Sequence, residues 1–127
     1  MVERRKLIPD DSHPITVDRN PAEVVVRANG AVIARATKAL ALREAGYPPV
    51  HYLPRDEVEM HGLRRSEHRT YCPYKGEAAY FDIVALGEKG RNAVWTYEDP
   101  FDAVKPIADH LAFYPDRVSI TEGSPER

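Results

Sequence analysis

Eleven prolines and seven glycines divide the 127-residue chain into short segments, and this spacing most restricts the folds open to it. Proline fixes its own φ and removes a backbone donor, so long helices and central strands tolerate it poorly. The segments between the breaks are rich in β-branched and aromatic residues, as in Val24–Ala28 and Ala93–Tyr97. Such segments favour β-strands. We therefore predict a mainly β fold of short strands, with one or two short helices.

The clearest local element is a β-hairpin near the start of the chain. Val24–Ala28 and Ala31–Arg35 flank the dipeptide Asn29-Gly30. This dipeptide is typical of the two-residue type I′ turn, in which both central residues need a positive φ. The pattern predicts two antiparallel strands joined by a tight turn.

Residues 37–46 are ambiguous. Thr37 is a suitable cap for a short helix that Gly46 would end, and the alanines between them agree with a helix. Lys38, Leu40, Leu42 and Glu44 nevertheless alternate as they would in a strand. The sequence alone leaves both structures open.

The middle of the chain predicts a polar loop followed by a second hairpin. His61–Arg69 is mostly polar, and we expect it to be a loop. Strands are predicted at Thr70–Cys72 and Ala78–Val84, on either side of a turn at residues 73–76. For the whole chain, we predict a flexible tail at residues 1–12, a single domain at residues 13–122 and a second tail at residues 123–127.

The composition excludes several classes of protein. Hydrophobic residues make up 43% and charged residues 30% of the chain, as in soluble globular domains, and no apolar run is long enough to span a bilayer. The net charge of −2 gives no basic footprint for nucleic acid. Cys72 is the only cysteine, and the charged start lacks the apolar stretch of a secretory signal, so we expect a cytoplasmic protein. His61, His68 and Cys72 match no familiar ligand spacing, so we predict no metal and no cofactor.

Several motifs together resemble the family called domain of unknown function 427. They are spread over residues 13–121 in the order usual for that family. They comprise Asn29-Gly30, Glu44, residues 47–49 (YPP), residues 52–58 (YLPRDEV), residues 70–80 (TYCPYKGEAAY), residues 92–97 (NAVWTY) and residues 107–114 (IADHLAFY).

The resemblance implies a β-tent, in which two antiparallel sheets of short strands lean together. This architecture is shared with methionine-R-sulfoxide reductases and several zinc-binding modules, but the family has no established function. A nucleotidyltransferase label is sometimes attached to it. Phosphoryl transfer on bound metal needs closely spaced carboxylates, and this chain has no Asp-x-Asp beside a Gly-Ser turn.

The most distinctive chemistry lies in the turn after Thr70. Lys75 follows Cys72 by three residues across a proline turn, so its ammonium could stabilise a Cys72 thiolate. Lys75 could instead hold an anion or form a Schiff base, and Gly76 would let a ligand approach the backbone. The alternative is structural: Cys72 as a small core residue and Lys75 as a solvated turn lysine.

Glu44 and the tyrosines complete the candidate site. If Glu44 lies near Lys75, an internal ion pair would set the polarity of a pocket; otherwise Glu44 forms a surface salt bridge with Arg43 or Lys38. Aromatic side chains can form walls while a hydroxyl or indole N–H reaches a polar ligand. We expect Glu44, Tyr52, Thr70, Lys75 and Tyr80 to bind the ligand, and Cys72, Lys75 and Glu44 are the candidates for catalysis.

Three functions remain open. The first is a domain, with or without enzymatic activity, that binds a small anionic or polar molecule between two sheets. Here Lys75→Ala is expected to abolish ligand-induced stabilisation and leave the melting temperature nearly unchanged. The second is a non-catalytic interaction module that uses aromatic residues near Trp95–Tyr97 and Phe113-Tyr114. The third, suggested by the fold relatives, is a Cys72-dependent redox enzyme, which would need an external thiol because the chain has no second cysteine. The oligomeric state is not predicted.

Overall fold

The computed structural model describes residues 4–123, within which ten strands form two antiparallel sheets. The larger sheet has the strand order β1-β4-β5-β9-β8-β7-β6, and the smaller sheet has the order β10-β2-β3. The strands are β1 (Ile15–Arg19), β2 (Glu23–Ala28), β3 (Ala31–Ala36), β4 (Leu40–Glu44), β5 (Val50–Pro54), β6 (Leu63–Cys72), β7 (Gly76–Ile83), β8 (Val94–Thr96), β9 (His110–Phe113) and β10 (Ser119–Gly123). The mainly β, two-sheet fold class is therefore confirmed.

Helical structure in this range is confined to short 3-10 segments. The two longer ones are Val84–Gly90, interrupted by Gly87 at φ 58°, and Asp102–Ile107. Single turns lie at Arg55–Glu57 and Met60–Gly62. None of the helices in residues 4–123 has the length and apolar character needed to cross a bilayer.

The predicted first hairpin is present as β2 and β3. Asn29 and Gly30 have φ values of 52° and 81°, as a type I′ turn requires. Ala28 and Ala31 form the pair that closes the turn. The local turn chemistry was therefore sufficient to predict this element.

The ambiguous segment at residues 37–46 contains a strand, not a helix. β4 pairs with β1 on one side and with β5 on the other. Thr37 begins no helix, since its backbone N–H and hydroxyl donate to the carboxylate of Glu57, 20 residues away. Tertiary pairing thus selects the strand that the alternation of Leu40, Leu42 and Glu44 had indicated.

The prediction of a polar loop at His61–Arg69 is wrong, because most of this segment belongs to the ten-residue strand β6. β6 is an edge strand that pairs only with β7. Most of its side chains are exposed, so the apolar alternation that marks a half-buried strand is missing. Charged residues are common on edge strands, where they oppose edge-to-edge association.

The two faces of the larger sheet carry separate apolar clusters. On one face, Leu53, Val94, Leu111 and Phe113 pack against the smaller sheet. The opposite face, here called the inner face, carries Leu42, Tyr52, Tyr80 and Ala112, with Trp95 packed beside them. The alternation along β5, β8 and β9 follows from the two-residue period of a strand. The inner face positions the candidate site.

The amino-terminal segment lies against the domain. The Leu7 N–H donates to the Pro73 carbonyl at 2.9 Å, and the Tyr71 hydroxyl donates to the Arg5 carbonyl at 2.6 Å. Residues 4–12, assigned to a flexible tail from the sequence, thus contact the turn that holds Lys75. At the other end, Gly123 is the last residue of β10. The remaining tail residues, 1–3 and 124–127, lie outside the described residues.

Candidate functional site

A buried ion pair joins two distant strands of the larger sheet. Glu44 is the last residue of β4, and Lys75 lies in the turn between β6 and β7. Lys75 Nζ donates to Glu44 Oε1 at 2.5 Å, and Lys75 is only 8% exposed. Three strands separate β4 from β7 in the sheet order, so this contact requires the sheet to curl around its inner face.

The turn that carries Lys75 is fixed on both sides. The Lys75 N–H donates to the Cys72 carbonyl at 3.2 Å, and the Lys75 carbonyl accepts from the Phe101 N–H at 3.0 Å. Gly76 follows with a φ of 111°, a conformation that L-residues with a side chain rarely adopt. The Lys75 side chain is therefore directed inward by the backbone rather than by its partner alone.

Glu44 has a second partner that the sequence analysis did not predict. His13 Nε2 lies 2.7 Å from Glu44 Oε2. The His13 ring stacks on Tyr74, with centroids 4.1 Å apart and an interplanar angle of 4°. The Asp10 carboxylate accepts hydrogen bonds from the backbone N–H groups of Ser12 and His13. An aspartate at this position predicts such a local turn, but it does not predict the long-range contact between His13 and Glu44. Glu44 thus bridges the amino-terminal segment and the Lys75 turn.

Two opposing effects act on the pKa of Glu44. Burial raises it, but the hydrogen bonds from Lys75 and His13 outweigh burial, so the net pKa lies below its ordinary value of 4.5. Glu44 is consequently a carboxylate at neutral pH. Its negative charge compensates the positive charge of Lys75 within the site.

A cavity of about 230 Å³ opens on the inner face beside the ion pair. Its polar wall consists of Glu44, Lys75 and the aromatic residues Tyr52, Tyr80, Tyr97 and Tyr114. Strand register contributes to this clustering, because Trp95 pairs with Tyr80 on one side and with Ala112 on the other. We refer to this space as the tyrosine cavity.

Two of the tyrosine hydroxyls are engaged by neighbouring side chains. Tyr52 OH accepts a hydrogen bond from Trp95 Nε1 at 3.1 Å. Tyr80 OH lies 2.9 Å from Thr70 Oγ1. Burial raises the pKa of Tyr114 to about 12, with a contribution from the nearby Tyr80 hydroxyl. The Tyr114 phenol is therefore neutral near pH 7.

The hydroxyl of Tyr97 differs from those of Tyr52 and Tyr80. Tyr97 is 7% exposed, and no side-chain hydrogen bond to its hydroxyl exists among the residues that the structure describes. No fully buried side-chain nitrogen or oxygen in that same range lacks a partner, so this hydroxyl is accessible, and Tyr97 is a wall residue of the tyrosine cavity. Burial raises the pKa of Tyr97 above 10, which keeps the phenol protonated as a hydrogen-bond donor.

A larger cavity of about 650 Å³ adjoins the first. The two share the wall residues Glu44, Tyr47, Pro48, Val50 and Trp95. Beyond them the larger space is bounded mainly by apolar side chains, including Val26, Leu53, Phe113 and Ile120. We call it the apolar chamber.

The structure brings together most of the residues that the sequence singled out. Glu44, Tyr52, Lys75 and Tyr80 line the tyrosine cavity. Thr70 is not among its wall residues but holds the Tyr80 hydroxyl. Cys72 is also outside the wall, with its Sγ 3.7 Å from Lys75 Nζ. Of the two arrangements considered for Glu44, the ion pair with Lys75 is present, with His13 as a second partner, and the alternative salt bridge to Arg43 or Lys38 is not among the pairs of the described residues.

Sequence reasoning did not select His13, Tyr97 or Tyr114 for the site. For Tyr97, the only signal was its place in a short aromatic strand segment, which is more often part of a core. Among residues 4–123, no group of three or more His, Cys, Asp or Glu side chains is arranged to hold a metal ion.

Fold and site together define a mainly β, two-sheet domain with a polar cavity beside a larger apolar one. Over residues 16–123 the chain matches the model of the family described as "Domain of unknown function (DUF427)". The protein therefore belongs to that family, as the resemblance had indicated. A comparison with curated proteins finds no match.

Proposed function

We propose that the protein binds a small molecule in the tyrosine cavity, through a hydrogen-bond-accepting oxygen of the ligand. The observation that carries this proposal is that the buried Lys75–Glu44 pair forms a wall of an open cavity instead of being enclosed by core residues. Buried polar groups otherwise oppose folding unless they are fully paired. A cavity with a few convergent polar groups is the usual form of a small-molecule site.

The available hydrogen bonds indicate the chemistry of the ligand. Tyr97 OH and the Lys75 ammonium both donate toward the same space, and the ammonium has three N–H groups for its two nearby acceptors, Glu44 and Cys72. Because Glu44 compensates the charge of Lys75, the cavity wall has no surplus cation to attract a phosphate. This charge balance favours a ligand with an uncharged acceptor, such as a carbonyl or amide oxygen, over a ligand with an anionic group.

The burial of the aromatic side chains supports this reading over a partner-binding surface. Tyr97 and Phe113 are buried, and Trp95 is half-buried on the cavity wall. An interaction module would instead present such residues as an exposed, contiguous patch. Of the aromatic residues at these cavities, only Tyr47 is largely exposed.

The test is a pair of matched tyrosine variants. Tyr97→Phe removes a hydroxyl that has no protein partner, so we expect a melting temperature within about 2 °C of wild type. Binding of acetamide and benzamide, measured by thermal shift and ligand-detected NMR, should weaken roughly threefold to tenfold, the value of one net hydrogen bond. Tyr71→Phe is the control, because Tyr71 OH contacts Arg5 outside both cavities.

The ligand class is tested in the same assays. Acetate and benzoate are compared with the two amides, and the amides are expected to bind more tightly. Stronger binding of the carboxylates would refute the uncharged-acceptor assignment. Equal binding by wild type and Tyr97→Phe, or no binding of any of the four probes, would refute the proposed site.

A further inference from the structure

The apolar chamber differs from the tyrosine cavity in its mainly apolar walls and its larger volume. Its walls come from three sources: Val26 and Ile120 from the smaller sheet, Leu53 and Phe113 from the larger sheet, and Pro48 and Pro115 from loops. A volume of about 650 Å³ is within the range of general small-molecule pockets, about 300–1,000 Å³. The space is large enough for a ligand body much bigger than a single polar group.

An ion pair and a proline-containing loop border the chamber. His51 Nε2 of β5 lies 2.5 Å from Glu122 Oε2 of β10, so this pair links the two sheets at the rim of the chamber. The proline at position 48 is followed by a second one, and prolines restrict the backbone of the loop that forms the opposite side. The walls are therefore preorganised rather than collapsed onto each other.

The chamber adjoins the tyrosine cavity. Val50 and Trp95 belong to both walls, at the junction between the polar and the apolar space. A molecule whose oxygen reaches Tyr97 would pass Val50 and Trp95 to place an apolar body in the chamber.

We infer that the ligand is amphipathic, with an uncharged carbonyl-type head in the tyrosine cavity and an aliphatic or aromatic body in the apolar chamber. The inference rests on the proposed function for the head group and adds the class of molecule. Burial of the apolar body supplies most of the affinity, and the head fixes its orientation. Small, fully polar metabolites are consequently poor ligands.

The test uses straight-chain primary amides from acetamide to octanamide on the full chain. Each methylene that enters the chamber should tighten binding roughly fourfold, equivalent to about 0.8 kcal/mol. Ile120→Trp fills part of the chamber and should end this increase at a shorter chain. Val84→Trp is the control, because Val84 is half exposed and lies outside both cavities. Pro115→Trp, at an exposed wall position, replaces Ile120→Trp if that variant fails to fold.

The outcomes separate this inference from the proposed function. If the amides bind and Tyr97→Phe weakens them all, but affinity does not increase with chain length, the amphipathic class is wrong and the polar site stands. If affinity increases equally in Ile120→Trp and in wild type, the body does not occupy the chamber. If no amide binds, both proposals are refuted.

Discussion

Replacing Lys75 by methionine tests the central feature of the site. The substitution keeps an unbranched side chain, one atom shorter, but removes its charge, and the Glu44 carboxylate then keeps His13 as its remaining described partner. Removing one member of a buried ion pair costs about 3–5 kcal/mol. Because the Glu44 side chain is 16% exposed and keeps His13, we expect about 2–3 kcal/mol. For a chain of 127 residues, this loss lowers the melting temperature by about 6–15 °C.

This result would correct an expectation formed from the sequence. There, Lys75→Ala was expected to leave the melting temperature nearly unchanged, because nothing in the sequence established that the lysine is buried. The assay is urea unfolding of wild type, Lys75→Met, Glu44→Gln and the double variant. We expect the double variant to be more stable than Lys75→Met, since it no longer buries an unpaired charge. Strictly additive losses would refute the ion-pair description.

The same four proteins give a pH dependence whose sign follows from the lowered pKa of Glu44. A carboxyl with a lower pKa in the folded state contributes stability above its ordinary value of 4.5, and this contribution disappears as the pH falls through the folded-state value. The difference in unfolding free energy between wild type and Glu44→Gln should therefore diminish below about pH 4.5. Asp10 and Glu98 also have lowered pKa values, so only this difference is diagnostic. A difference that stays constant from pH 3 to pH 7 would contradict the assignment.

Two further substitutions test the packing and the role of the cysteine. Gly90→Ala should lower the unfolding free energy by about 3 kcal/mol in urea titrations, because the new Cβ would lie 2.1 Å from the Ile83 carbonyl oxygen. Gly62→Ala, which meets open space, should change it by less than about 1 kcal/mol. Cys72→Ser should leave benzamide affinity within about twofold of wild type, because Cys72 is not a wall residue. Loss of binding in Cys72→Ser would show that Cys72 contributes to the binding site.

Local chemistry made part of the fold predictable. Asn29-Gly30 determines its turn through two positive φ values, whatever the rest of the chain does. β6 could not be recognised in the same way, since an edge strand with most side chains exposed lacks the periodic signal of burial. The segment at residues 37–46 was decided by its pairing with β1 and β5, which no local pattern contains.

The site was predictable only as a set of residues, not as a geometry. Glu44 and Lys75 were selected from motifs, yet their contact spans 31 positions in sequence and depends on the curl of the larger sheet. The contact between His13 and Glu44 also spans 31 positions in sequence, with His13 on the amino-terminal side of Glu44. Tyr97 could not be distinguished from a core aromatic residue in the sequence. Only the folded structure shows that the described side chains around it leave its hydroxyl without a hydrogen-bond partner.

The energetics of the ion pair connect stability to function. A buried pair seldom stabilises a fold more than apolar residues of similar volume would, because both charges must be desolvated. The fold already has an apolar cluster on each face of its larger sheet, so it does not depend on charge at this position. The Lys75→Met/Glu44→Gln variant should therefore remain folded while losing the donor that, with Tyr97, faces the cavity. Stability that survives the double substitution, combined with loss of amide binding, would assign the pair to recognition and not to folding.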